Sequence, residues 1–171
     1  VVVPSFPLAP VAHLIWVDQV IDYHPGNEAK PGINTHNAPD AALGDPTPKA
    51  LDVFVSLGGR GSLTVGIKGH VIVKDGQADV TVIVARDESL RPYLVEASPG
   101  GKANWTALGS SPGVTQSFSL GKLSTASAIR ITDQSGRIRD NEHNPLATPG
   151  VSIRGVGVLK VGRGGEPGGR T

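Results

Sequence analysis

Cysteine and methionine are both absent from the 171 residues, aromatic residues make up only 4% of the chain, and charged residues 18%. Without cysteine there is no disulfide framework and no thiol chemistry, and cysteine usage then leaves the compartment open. For a chain that begins at Val1 and holds no methionine, we expect a processed N-terminus on a secreted, extracellular or cell-surface protein. No apolar run approaches the roughly 20 residues that span a bilayer as a helix, so membrane insertion is not expected. Lys+Arg 16 against Asp+Glu 15 leaves a formal charge of +1, which lacks the concentrated basic field that nucleic acid demands. Nucleic acid is therefore not an expected partner.

What is present is turn chemistry, with Gly 23 and Pro 14 punctuating short apolar runs rather than long helices. From Asp52 onward the chain reads "DVFVSLGG", "GSLTVGIKG", "HVIVKDG", "DVTVIVARD", "PYLVEAS", "NWTALG", "VTQSFSLG", "SAIRITD" and "GVSIRGVGVLKVG". Each run is rich in Val, Ile or Thr and is closed by Gly, Asp or Pro, a strand arriving about every 8 to 14 residues as in a sandwich or barrel. The run "HLIWVDQVIDY" (13–23) reads as one further strand, and Asp75-Gly76 between two alternating runs predicts a tight hairpin. The expected fold class is all-β, an antiparallel β-sandwich with short helical turns in its loops. A chain of this length fits one domain, placed at 13–161. It is preceded by an extended Pro-rich arm, "VVVPSFPLAPVA" (1–12), and followed by a flexible Gly-rich tail (162–171).

Two motifs that suggest enzymes fail on mechanics. Gly109-Ser110-Ser111-Pro112-Gly113 matches the G-x-S-x-G string of a nucleophile elbow. An elbow needs an oxyanion-hole N–H from the residue after the serine and a helix behind it; here that residue is Pro112, and a strand-like run follows. The histidines at 13, 24, 36, 70 and 143 show no paired spacing for zinc. No catalytic residue is assigned, and the chain is not expected to be an enzyme. Asn104-Trp105-Thr106 satisfies a glycosylation sequon, but Trp105 is read as a core residue of a hairpin.

The succession "VDQVIDYHPG", "PDAALGDP", "VFVSLGGRGSLTVGI", "VKDGQADVTVIVARDE", "YLVEASPGGKANWTALG", "FSLGKL" and "AIRITDQSG" resembles bacterial cell-surface proteins with a discoidin-like, galactose-binding-like jelly-roll domain, over about residues 17 to 161. The resemblance implies a sandwich of about eight strands, usually exported and often non-catalytic, with calcium or glycans bound at loops in many relatives. It implies that the "AALG" segment after the first strand is a short turn whose Leu43 plugs one open end of the sandwich. Physical chemistry agrees, since Asp40 or Asn37 can cap free N–H groups there while Leu43 covers core.

Two acidic loops can serve caps and Asx turns or can hold calcium through hard oxygen ligands. Asp40, Asp45 and Asp52 come from the first, and Asp133, Asp140 and Glu142 from "TDQSGRIRDNEHNP" (132–145). Asn37, His36, Asn141 and His143 in the same loops are candidate ligand-binding residues. Two functions are expected. One is a recognition or adhesion module that binds a glycan or a protein at the cell surface through its end loops. The alternative is a structural subunit of an extracellular assembly (filament, surface layer or capsid decoration), a homo-oligomer or larger, that docks through Val1, Val2, Val3, Phe6 and Leu8 of the arm.

Overall fold

Alternation in three neighbouring strands builds one wall of the protein. In Ser62–Gly66, Ala128–Asp133 and Tyr93–Ser98 every second side chain is apolar, and Leu63, Val65, Ile129, Ile131, Val95 and Ala97 are fully buried. Because successive side chains of a strand point to opposite faces, the residues between them face outward. The computed structural model describes residues 14–26, 36–76, 78–85, 91–100, 103–135 and 150–164. The arm residues Val1, Val2, Val3, Phe6 and Leu8, and the loop residues Asp140, Asn141, Glu142 and His143, lie outside them.

Among the described residues there are thirteen strands: β1 (Ile15–Trp16), β2 (Gln19–His24), β3 (Val55–Ser56), β4 (Ser62–Gly66), β5 (His70–Val73), β6 (Val80–Val84), β7 (Tyr93–Ser98), β8 (Thr106–Ser111), β9 (Gln116–Phe118), β10 (Thr125–Ala126), β11 (Ala128–Asp133), β12 (Ser152–Val158) and β13 (Val161–Arg163). One sheet runs β2-β4-β11-β7-β8, a second β1-β12-β6-β9 with β3 beside β12, and a small third β10-β5-β13. All pairings are antiparallel. The two large sheets share one core, in which Val80, Val82, Ile153, Val156 and Val158 of one join Leu63, Val65, Val95, Ile129 and Ile131 of the other. Tyr93 and Phe118 meet edge to face across it, centroids 6.2 Å apart. The protein is an antiparallel β-sandwich, as its composition and turn spacing predict.

Several local expectations are corrected. The run 13–23 is two strands in different sheets: β1 pairs with β12 and β2 with β4, and the chain changes sheet at the buried Val17. Asp75-Gly76 is not a hairpin, because β5 pairs with β10 and β13 while β6 pairs with β12 and β9. The turn is held by a carboxylate instead. Buried Asp79 accepts the N–H groups of Asp75 and Gly76 on one oxygen (2.7 and 2.9 Å) and that of Leu120 on the other (2.8 Å). β13 shows that Gly162 and Arg163 belong to a strand rather than the start of a tail. The segment Pro39–Ala42 is a short 3-10 turn without a side-chain cap, so neither Asn37 nor Asp40 plays that part. Ala42 is the fully buried plug, with Leu43 half-buried beside it.

A second buried carboxylate fastens the other irregular crossing. Asp133 accepts Val151 N–H on Oδ1 (2.9 Å), and Arg60 and Ser135 N–H on Oδ2 (3.1 and 3.0 Å). Next to Val151, Gly150 has φ +73°, and a Cβ there would lie 2.5 Å from Gly58 O, so no other residue fits without moving the backbone.

Removing Asp79 leaves three backbone donors stranded, so Asp79→Ala is expected to lower unfolding free energy by about 3 kcal/mol in urea titrations. Tyr23 donates its hydroxyl to Ser56 O (2.9 Å), and burial pushes its pKa up to about 12 from 10.0. The folded chain therefore holds that proton more tightly than the unfolded chain, and the contribution is complete below pH 10 and is lost as pH rises through 12. Tyr23→Phe should flatten that part of the stability-against-pH curve.

Candidate functional site

The outer face of the β2-β4-β11-β7-β8 sheet is shaped by side-chain size. The register puts Asp22 opposite Thr64, Thr64 opposite Arg130, and Arg130 opposite Glu96. Ser62 and Thr64 are short; Asp22 and His24 on one side and Arg130 on the other are taller, so β4 becomes the floor of a trough. Trp105, just before β8, completes the lining of a groove of about 210 Å³ with Asp22, His24, Ser62, Thr64 and Arg130.

Its far wall is preorganised. Arg130 donates from Nε and Nη2 to Glu96 Oε1 (2.9 and 2.8 Å), and the Glu96 side chain is only 16% exposed. The guanidinium carbon lies 4.2 Å from the centroid of the Trp105 ring, a cation–π stack. Glu96 thus holds the guanidinium plane on the indole, and a guanidinium has donors beyond the two that Glu96 engages. Trp105 is oriented by its own loop: Asn104 adopts φ 60°, and Ser98 Oγ donates to Ala103 O and accepts Gly100 N–H (3.2 Å). On the near wall His24 Nε2 meets Asp22 Oδ2 at 2.9 Å, with His24 well exposed.

This corrects the reading of Trp105 as a core residue: it is half-buried on the outer face. Arg130, Glu96, Asp22, His24, Ser62 and Thr64 were not singled out by sequence reasoning. The signal available was a charged residue between two buried ones, Arg130 in Ile129–Ile131 and Glu96 in Val95–Ala97. Which of these share a face next to one another depends on strand register, which no local pattern reports.

Of the loop residues expected to bind ligand or metal, His36, Asn37, Asp40, Asp45, Asp52 and Asp133 are described, and none of them lines this groove. His36 stacks flat on Phe54, with centroids 4.0 Å apart and planes within 1°. Asn37, Asp40 and Asp52 are exposed, and Asp45 accepts Thr47 N–H (2.8 Å) as an Asx turn. Asp133 spends both oxygens on backbone donors. No three His, Cys, Asp or Glu side chains among the described residues are grouped to hold a metal ion. The converging oxygens of residues 41–50 are backbone carbonyls, and they face two cations of the chain itself. Lys49 Nζ donates to Ala41 O (3.0 Å) and Leu43 O, while one Arg154 nitrogen reaches Pro46 O, Lys49 O and Ala50 O at 3.0 to 3.1 Å. Burial, and secondarily Arg154, push the Lys49 pKa down, with Asp45 opposing. Ser111, the elbow serine of the motif, is buried and donates to Val114 O (3.0 Å) while accepting Gly113 and Val114 N–H, which is turn chemistry.

No family model and no curated protein matches the chain. Among solved structures, the C-terminal domain of a chitobiase from Bacteroides fragilis is 16% identical, with 88% of this chain and 98% of that one covered and a TM-score of 0.49. CpGH89CBM32-6, produced by Clostridium perfringens, is 14% identical over 85% of this chain and 93% of that one, TM-score 0.40. Truncated AlyQ, with CBM32 and alginate lyase domains, is 17% identical over 92% of this chain and 35% of that chain, TM-score 0.46. What the groove can bind follows from its own residues.

Lys49→Met keeps the aliphatic stem and removes the ammonium, leaving the Ala41 and Leu43 carbonyls without this donor. The expected loss of unfolding free energy is about 2 kcal/mol by chemical denaturation.

Proposed function

We propose that the protein is a non-catalytic carbohydrate-recognition module that takes a neutral sugar ring into the groove between β2 and Trp105. The observation that carries this reading is the Arg130–Trp105 stack held by Glu96 beside a polar trough. A pyranose offers C–H faces that settle on an aromatic or guanidinium plane, and hydroxyls that pair with charged and hydroxylic groups. Trp105 and Arg130 supply the first; Asp22, His24, Ser62 and Thr64 supply the second.

Size and charge narrow the ligand. The volume of about 210 Å³ falls below the roughly 300 to 1,000 Å³ of drug-sized sites, so one ring fits better than a chain. Arg130 is already paired with Glu96, and Asp22 adds a further negative charge, which disfavours a carboxylated or sulfated sugar here. A neutral terminal residue of a surface glycan suits both limits. Such a ligand agrees with an extracellular setting. The assembly alternative turns on arm residues outside the described ones.

A glycan array followed by calorimetry on the best neutral hit tests the reading. Trp105→Ala should weaken binding about fivefold or more, because a stacking ring contributes ~1 kcal/mol or above, and Arg130→Gln should act similarly. Both variants should keep a cooperative melt. Full retention of binding in Trp105→Ala would remove the groove as the site.

A further inference from the structure

The small sheet β10-β5-β13 concentrates cations that the overall charge conceals. Lys68, His70, Lys74, Lys122, Lys160 and Arg163 are all exposed on this sheet and its turns. The backbone fixes their proximity. Arg163 stands opposite His70 in the β13–β5 ladder, and His70 Nδ1 lies 3.0 Å from Lys68 O. At the other end Val73 N–H donates to Lys160 O (2.9 Å), and Lys74 Nζ donates to Gly121 O, next to Lys122. β5 itself (His70–Val73) spans on the order of 10 Å at a strand's rise per residue, with Lys68 and Lys74 just beyond its two ends.

Among the described residues, the acidic groups on and beside its turns are Asp18, Asp75 and Asp79, and they are partly spent. Asp18 accepts Lys68 N–H (2.9 Å), Asp79 is buried on three N–H groups, and Asp75 is exposed. Five of the 16 lysines and arginines thus lie on one short sheet and the turns around it in a chain whose formal charge is only +1. Lysines dominate, and a lysine acts as a point charge that does not demand the fixed geometry of a bidentate partner.

We propose that this strip is a second binding surface, for a linear polyanionic polysaccharide bearing sulfates or carboxylates. The polymer releases counterions as its charges meet the lysines. A single-stranded nucleic acid would need aromatic platforms for its bases, and no Trp, Tyr or Phe lies in β5, β10, β13 or the turns that carry these cations. An anionic membrane would need an apolar anchor beside the charges, whereas the exposed large hydrophobics among the described residues are Ile15 and Leu51, on other elements. The proposal stands independently of the groove. The two surfaces also differ in kind, since the groove selects a neutral ring and the strip holds charge.

Chondroitin sulfate and polygalacturonate are the probes, titrated into the full chain by calorimetry at about 50 mM salt, with neutral dextran, oligo-dT of matched charge and phosphatidylserine vesicles as further arms. Both polyanionic polysaccharides should bind, and affinity should fall roughly a hundredfold on going to about 200 mM salt. The triple variant Lys68→Gln, Lys160→Gln, Arg163→Gln should lose tenfold or more. The pair Lys68→Gln and Lys122→Gln, both in turns and neutral to folding, should lose at least threefold. Trp105→Ala should bind the polyanions as the unaltered protein does, which separates failure of this proposal from failure of the groove. No binding at low salt, equal binding by the turn pair, or tighter binding of oligo-dT or vesicles than of chondroitin sulfate would overturn it.

Discussion

The opposition of neighbouring side chains across β11 governs both the core and the groove. Ile129 and Ile131 are fully buried, and the backbone that commits them to the interior commits Arg130 to the outer face. β11 sits in the middle of its sheet, so Arg130 has a neighbour on each side: short Thr64 and long Glu96. The short one leaves a trough, and the long one supplies a fixed acceptor. A one-residue slip would turn Arg130 into the core and Ile129 into water, so the energetics of the sandwich also hold the groove in register.

Where the chain leaves regular pairing, charge takes over from ladders. Asp79 and Asp133 are buried, and each gathers backbone N–H groups from segments distant in sequence. Lys49 and Arg154 do the converse for carbonyls of residues 41 to 50. A buried ion is costly unless it meets partners, and the buried Asp79 and Asp133 and the half-buried Lys49 and Arg154 meet backbone dipoles from several loops, with only the Arg154 Nε left without a partner among the described residues. They act as staples for a β protein whose strands are short and whose crossings are many. Each staple also ties a described loop segment to the sheet beneath it.

The same economy separates the two outer surfaces. On the β2-β4-β11-β7-β8 sheet, positive and negative side chains neutralise one another around an indole, which suits recognition of hydroxyls and C–H faces. On β10-β5-β13, among the described residues, exposed cations outnumber carboxylates, and no Trp, Tyr or Phe lies in those strands.

Much of the fold was legible from residues alone. Short Val/Ile/Thr runs closed by Gly, Asp and Pro require a sheet protein, because period-two alternation buries one face whatever the strand order, and the β7–β8 hairpin was readable from "YLVEASPGGKANWTALG". Partner choice was not. Asp75-Gly76 has the local chemistry of a hairpin, yet Asp79 just downstream captures its amides and the flanking strands pair with β9, β10, β12 and β13 from distant parts of the chain. Trp105 looked like core for the same reason: an aromatic beside a strand reads as buried until the register shows which side it is on. The sequence by itself determined that this is an all-β chain with polar loops and little aromatic surface. Only the tertiary structure decided that Arg130, Glu96 and Trp105 form one wall and that scattered lysines line one small sheet, because such neighbours are made by long-range pairing.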